Sequence, residues 1–139
     1  MGAETRPIEI VDYGEPSGTG LSQLNGGQGE AWKFLLVEND ASLFFIVGPL
    51  AEYSYHAGLL EAFCADREIP SHWENKPDVF RLDDDDFSIR GGGWIQFDPR
   101  RNRLVFSGRS TAYGEFDSVL VKEVVDSCGI FHGLETIIR

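Results

Sequence analysis

The amino-acid sequence predicts one α+β domain, with a mixed sheet of about six strands flanked by two helices. Three observations lead to this class. Segments with strand patterns lie before, between and after two segments with helical spacing. The 139 residues are enough for one hydrophobic core, so we expect residues 1–139 to form a single domain. Each half also contains a predicted hairpin followed by a predicted helix, which indicates an internal pseudo-repeat.

The first half is predicted to contain three strands and a helix. Residues 8–12 alternate between apolar and polar side chains, and residues 32–38 and 42–48 are two strands joined by a hairpin turn. Residues 52–66 change to helical spacing. Residues 14–29 are rich in Gly, Ser, Asn and Gln and match no phosphate-loop pattern. We therefore expect a flexible glycine-rich loop within the first 30 residues.

A polar segment separates the two halves. We expect residues 67–86 to lie at the surface, with a short strand at 79–82. Four consecutive aspartates occupy positions 83–86. They lack the spaced ligands and the turn glycine of a calcium loop, so a solvated turn is favoured over a cation site.

The second half repeats the hairpin and the helix. Residues 94–98 and 103–107 are predicted strands on either side of a turn. Helical spacing begins at Phe116, and Gly129 is a suitable C-terminal stop. Residues 134–138 are predicted to add a final strand.

The chain is strongly acidic, with a net charge of −11. This charge argues against nucleic acid as a partner, because phosphate backbones require clustered lysine and arginine. It also opposes long-range attraction of a small anion, so any phosphate site must depend on local donors. A partner protein with a basic surface is the easier long-range match.

Neither a membrane segment nor a cysteine site is predicted. No apolar run approaches the roughly 18 residues that span a bilayer, and the first six residues lack the apolar stretch of a secretion signal. We therefore expect a cytoplasmic protein without a membrane partner. Cys64 and Cys128 are both expected in helices among apolar residues, where core packing is more common than redox chemistry. No metal or other cofactor is predicted.

His56 is the histidine best placed for chemistry, because it lies at a predicted helix start. A neutral imidazole accepts a proton near pH 7, and the adjacent backbone N–H groups favour an anion. The helix dipole disfavours imidazolium, which keeps the ring available as a general base. The alternative is a capping or core histidine beside two tyrosines. We expect His72 and His132 to be incidental.

Two further segments carry candidate phosphate-binding groups. Lys33 lies on an apolar strand, where its amine either reaches water from the sheet edge or projects into a cleft. Residues 110–114 follow a strand and contain small residues and glycine, which allow successive N–H groups to converge on an anion. A simple connecting loop has the same composition. The Ser110 hydroxyl is the stronger candidate donor, Thr111 is a weaker one, and Arg109 is a candidate charge.

Taken in order, these motifs resemble the phosphohistidine phosphatase family, also called Janus/Ocnus. Four stretches within residues 30–139 carry the resemblance: Trp32-Lys33-Phe34-Leu35-Leu36-Val37, Tyr55-His56-Ala57, Gly91-Gly92-Gly93 followed by Ile95, and Ser110-Thr111-Ala112-Tyr113-Gly114. The resemblance implies an α+β fold with a mixed sheet flanked by two helices. It also implies hydrolysis of the P–N bond of phosphohistidine in proteins, without a metal.

The resemblance implies a role for each site residue. His56 matches the catalytic histidine of the family. Lys33 and Ser110 match phosphate ligands, as do the backbone groups of Ala57 and Ala112. Whether the histidine activates water as a general base or accepts the phosphoryl group itself stays open.

The sequence departs from the family pattern in two places. Trp94 directly follows Gly93, where the family has an arginine, so both are candidate site residues and one positive charge is absent. The segment before Gly91 is longer and carries the acidic run 83–86, which would repel phosphoproteins if it covered the cleft. These features motivate a rival hypothesis, a non-catalytic module that binds a phosphorylated partner. The expected ligand is a phosphorylated protein or a small phosphoramidate.

Overall fold

The computed structural model describes residues 7–14 and 31–139 and contains the predicted α+β fold, with a mixed sheet and two α-helices. The predicted glycine-rich loop, residues 14–29, lies outside the described residues except for Gly14.

The regular elements follow one another closely along the described chain. In order they are β1 (Ile8–Asp12), β2 (Ala31–Glu38), β3 (Leu43–Pro49), α1 (His56–Asp66), β4 (Ser71–Asn75), β5 (Val79–Leu82), β6 (Ser88–Asp98), β7 (Arg103–Ser107), β8 (Arg109–Ser110), β9 (Gly114–Glu115), α2 (Ser118–Ser127) and β10 (Glu135–Ile138). A short 3₁₀ helix, Gly129–Phe131, follows α2.

The main sheet is mixed, as predicted. Its strand order is β1-β3-β2-β6-β7-β10, and the short strands β8 and β9 join it beside β6. The outer strands β1 and β10 run parallel to β3 and β7, whereas β2 pairs antiparallel with β3 and β6. Each half contains an antiparallel hairpin followed by a helix, β2-β3-α1 and β6-β7-α2, as predicted for the pseudo-repeat. The strands β4 and β5 form a separate hairpin.

The side chains of β2 alternate between two apolar clusters. Phe34 and Leu36 belong to the cluster that includes the buried side of α2. Leu35 and Val37 belong to the cluster that includes the buried side of α1. Since successive residues of a strand point to opposite faces, the two helices cover opposite faces of the sheet. Lys33 is two residues from Leu35 and therefore lies on the face that α1 covers.

Two predicted boundaries near the site were wrong. The first helix begins at His56 rather than at residue 52, because residues 50–52 form a turn and residues 53–55 are not helical. The N–H groups of Glu52 and Tyr53 both donate to the Pro49 carbonyl. The strand β6 begins at Ser88 rather than at residue 94, so it includes all three consecutive glycines. The run of glycines concealed this strand, because glycine is poor in strand-forming preference.

Several smaller predictions were also corrected. Asp117 caps α2, and its carboxylate accepts from the Val119 N–H at 3.0 Å, so the helix begins at Ser118, after Phe116. The helix ends at Ser127, so Cys128 caps it instead of lying within it. Cys64 is buried within α1, as predicted. The strands β4, β8 and β9 were not predicted, since each is short, polar or both.

The acidic run does not form a regular element. Residues 83–86 form a mostly exposed turn, in which the Asp86 N–H donates to the Asp84 carboxylate at 2.9 Å. The prediction of a solvated turn is confirmed. No helix among residues 7–14 and 31–139 is long and apolar enough to cross a membrane.

Candidate functional site

A cleft of about 380 Å³ opens at the N-terminus of α1, on the face of the sheet that this helix covers. Its lining brings together seven of the residues that the sequence singles out: Lys33, His56, Trp94, Arg109, Ser110, Thr111 and Ala112. They come from β2, α1, β6, β8 and the loop that follows β8. Residues far apart in the sequence thus meet in one concave site.

His56 is the first residue of α1, and its side chain is buried, with 5% of the residue exposed. Its Nε2 lies 3.1 Å from the Gly93 carbonyl oxygen. Because a carbonyl only accepts, Nε2–H donates this hydrogen bond, and Nδ1 of the neutral ring keeps its lone pair. A Cβ at Gly92 would lie 2.8 Å from the imidazole, so the ring fits against the sheet because this residue is glycine.

The imidazole of His56 is held in its neutral form. Burial is the main cause that lowers its pKa, the hydrogen bond to Gly93 opposes this effect, and the nearby Lys33 ammonium adds to it; together they lower the pKa from 6.5 to about 4. A ring that is neutral at pH 7 has a free lone pair, which a general base or a nucleophile requires.

Lys33 carries a buried cation beside His56. The residue is 6% exposed, and its amine makes no ion pair with any other residue that the structure describes. Its Nζ lies 4.6 Å from the centroid of the Trp94 ring, directly across the β2–β6 pair. Burial lowers the pKa of Lys33. An anion in the cleft would supply the counter-charge that this amine lacks among the described residues.

The ring of Trp94 contacts both Lys33 and His56. Its ring meets that of His56 edge to face, with the centroids 5.9 Å apart. Gly108, at φ 78°, provides the space for the indole, since a Cβ at this position would overlap the ring. Trp94 therefore packs against Lys33, His56 and the Gly108 backbone, and it supports both polar groups of the cleft.

The last residue of β8 supplies a hydroxyl. Ser110 is buried, and its Oγ accepts from the Tyr113 N–H at 3.1 Å, which leaves the hydroxyl hydrogen to donate elsewhere. The Tyr113 hydroxyl donates to the Phe80 carbonyl at 2.6 Å and accepts from the Phe80 N–H at 3.1 Å. These bonds fix the loop after β8 to β5, so the position of Ser110 depends on the β4–β5 hairpin.

The other two predicted site residues, Ala57 and Gly93, lie behind the lining of the cleft. Ala57 is fully buried in the first turn of α1, where only its backbone N–H can serve an anion. Gly93 contributes its carbonyl to His56. His72 is exposed and pairs with Asp83 at 2.8 Å, and neither it nor His132 lines the cleft.

The sequence missed the wall that the β4–β5 hairpin provides. Asn75, Asp78 and Val79 line the cleft at the turn of this hairpin, and Ser54 lines it before α1. The polar segment 67–86 does reach the cleft, but through this turn and not through the acidic run. No local signal marks these residues, because their role depends on where the hairpin packs.

The charges in the lining are mixed. Lys33 and Arg109 are cations, and Asp78 is an exposed carboxylate. The described residues contain no group of three or more His, Cys, Asp and Glu side chains that could hold a metal ion. The cleft therefore favours an anionic ligand. Lys33 and Arg109 form what we call its cationic wall, and the Ser110 hydroxyl and the helix N-terminus add further donors.

Neither a search against family models nor a search of curated proteins finds a match for this chain.

The depressed pKa of His56 predicts a loss of stability in mild acid. Between about 6.5 and 4 the unfolded chain binds a proton at His56 that the folded protein excludes, so stability falls as pH falls through this range. Between pH 7.5 and 5 the titration of His56 lowers the free energy of unfolding by about 2 kcal/mol. Urea unfolding of the native protein and of His56→Gln, at both pH values, measures this difference. An equal pH dependence in the two proteins would contradict it.

Proposed function

We propose that this protein hydrolyses the P–N bond of phosphohistidine or of a related phosphoramidate, as a metal-independent phosphatase. One observation carries the proposal: a buried, neutral imidazole shares a cleft with an ammonium and a hydroxyl that are both available to an anion. The resemblance to the phosphohistidine phosphatases supplies the reaction. Four of the residues that match the family site line the cleft: Lys33, His56, Ser110 and Ala112. The substrate is a phosphorylated protein or a small phosphoramidate, and the proposed location is the cytoplasm.

The cationic wall of the cleft binds the phosphoryl oxygens in this proposal. Lys33 and the Ser110 hydroxyl donate to them, together with the backbone N–H groups of Ala57 and Ala112. Arg109 supplies a second positive charge to the same cleft. Fixed donors of this kind favour the transition state, because they stabilise charge on the equatorial oxygens without reorganising.

The imidazole of His56 has two possible roles. As a general base it takes a proton from water while the water oxygen bonds to phosphorus and the P–N bond breaks. The imidazolium of His56 then returns this proton to the departing nitrogen, which leaves as a neutral base. As a nucleophile its Nδ1 bonds to phosphorus as the P–N bond breaks, and the departing nitrogen takes a proton from solvent and leaves as a neutral base. A water molecule then cleaves the phosphorylated His56, which releases phosphate and restores the neutral ring. Both routes require the neutral ring and the bond to Gly93 that orients it.

A non-catalytic phosphate-binding module is the second candidate function. Trp94 occupies the position of the family arginine, and the Asp78 carboxylate faces the same cleft, so the positive charge available to a transition state is reduced. Such a module would bind a phosphorylated partner with Lys33 and Ser110 without cleaving the P–N bond.

Phosphate release from a phosphohistidine peptide, with a chelator present, separates the two candidates. We expect turnover of this peptide and none of the same peptide carrying phosphoserine, because an alkoxide is a poorer leaving group than an amine. Binding of inorganic phosphate is measured in parallel by calorimetry. Saturable phosphate binding without turnover would favour the binding module, and absence of both would overturn each proposal.

A further inference from the structure

A second concavity lies beside the cleft, between α1 and the β4–β5 hairpin, with a volume of about 690 Å³. We call it the α1 groove. The residues of its lining that bear on binding are Glu52, Tyr53, Tyr55, Glu61, Trp73 and Pro77.

The α1 groove is continuous with the cleft. Ser54 and Tyr55 line both of them. The hairpin turn divides the remaining wall, since Asp78 faces the cleft while Lys76 and Pro77 face the groove. A ligand whose phosphoryl group lies beside His56 therefore has an open path along α1.

The surface of the α1 groove has the chemistry of a peptide-binding site. Tyr55 is 49% exposed, although large aromatic side chains are costly to leave in water. Trp73 donates from Nε1 to the Glu61 carboxylate at 2.8 Å, which fixes both side chains. Trp73 is half-buried, and Tyr55 is the exposed aromatic residue of the pair. Tyrosine and tryptophan are characteristic of recognition surfaces, because they offer large contact areas with little loss of conformational freedom.

The charge of the α1 groove favours a basic ligand. Glu52 and Glu61 contribute two carboxylates, and Lys76 contributes one ammonium, which lies 5.6 Å from the centroid of the Trp73 ring. The net charge of −11 acts in the same direction over a longer range.

We propose that the α1 groove binds the polypeptide segment next to the phosphorylated residue, and that this segment carries a basic side chain. The inference rests on the proposed function and specifies it: the substrate is a phosphoprotein with a nearby lysine or arginine, not a small phosphoramidate. An extended chain advances about 3.3 Å per residue, so the neighbours of the phosphorylated residue reach from the cleft into the groove. Their basic group meets Glu52 and Glu61, and an apolar neighbour packs on the aromatic rings.

Equilibrium titration tests the α1 groove without requiring turnover. The probes are inorganic phosphate and two peptides that carry a non-hydrolysable triazole analogue of phosphohistidine, flanked by arginine in one peptide and by glutamate in the other. We expect the arginine peptide to bind at least about tenfold more tightly than the glutamate peptide. We expect charge reversal by Glu52→Lys with Glu61→Lys to lower the affinity for the arginine peptide about tenfold, without lowering the affinity for inorganic phosphate.

A matched control reverses two charges elsewhere. Asp40→Lys with Asp85→Lys changes two exposed aspartates outside the groove, and we expect the arginine peptide to keep its affinity within about twofold, since exposed charges act weakly at a distance. Equal affinities for the two peptides would overturn the proposed groove. If inorganic phosphate fails to bind while the arginine peptide binds and responds to charge reversal, the proposed function fails and the groove stands.

A steric variant tests the groove independently of charge. Ala65 is exposed in the lining, so Ala65→Trp fills part of the groove, whereas Ala41→Trp places the same side chain on the β2–β3 turn. We expect Ala65→Trp alone to lower the affinity for the arginine peptide, by about tenfold. Equal affinities in these two variants would contradict the proposal even if the charge-reversal protein did not fold.

Discussion

Replacing His56 by alanine is expected to lower kcat/KM for a phosphohistidine peptide by at least ~100-fold, the lower end of general acid–base contributions. Among the described residues that line the cleft, the variant removes the only imidazole, and it leaves Lys33 and Ser110 in place. Inorganic phosphate should therefore still bind, so that the loss appears in turnover. Phosphate release under substrate-limiting conditions, with the chelator present, measures the effect.

Two variants control for the loss of a buried ring. His56→Gln keeps an N–H donor for the Gly93 carbonyl but no basic nitrogen, so we expect it to be as inactive as the alanine variant. His72→Ala removes an exposed histidine that pairs with Asp83 outside the cleft, and its activity should equal that of the native protein. Turnover within tenfold of native in a folded His56→Ala protein would remove His56 from the mechanism.

The fold was predictable wherever burial controls the sequence pattern. The strands β2 and β3 are buried along most or all of their length, so their apolar runs stand out. The helix α2 shows clear helical spacing because one side is exposed. In contrast, β4 has mostly exposed side chains and pairs only with β5, so no apolar alternation marks it.

The candidate site was predictable in its side chains but not in its walls. Lys33, His56 and Ser110 belong to motifs that have chemical meaning on their own. Asp78 has none until the β4–β5 hairpin packs beside the cleft, and that packing depends on contacts such as those of the Tyr113 hydroxyl with Phe80.

The contributions of backbone groups to the site were equally hard to predict from the sequence. Gly93 contributes its carbonyl, which accepts from His56, and since every residue type has a carbonyl, the residue type does not signal this role. The fit of Trp94 depends on the missing Cβ of Gly108, fourteen positions further along the chain. Single-residue patterns do not report such long-range fits.

Replacing Lys33 by methionine is expected to weaken phosphate binding and to stabilise the fold. Removing a charge-assisted donor should raise the Kd for inorganic phosphate about 10- to 100-fold. Because folding lowers the pKa of Lys33 below its ordinary value of 10.5, protonation of the amine favours the unfolded chain at neutral pH, and this effect fades as pH rises through the folded pKa towards 10.5. Methionine fills a similar volume without this cost. Calorimetry with phosphate and urea unfolding at pH 7 measure the two effects.

The exposed Lys122 provides the matched control. It lies on α2 and pairs with Asp126 at 3.0 Å, away from the cleft, so Lys122→Met should change neither the affinity for phosphate nor, beyond a few tenths of a kcal/mol, the stability. A site that evolved to bind an anion keeps a buried cation at the expense of stability. Lower stability in Lys33→Met, together with unchanged phosphate affinity, would mean that the amine supports the fold, and it would remove the cationic wall from the proposed function.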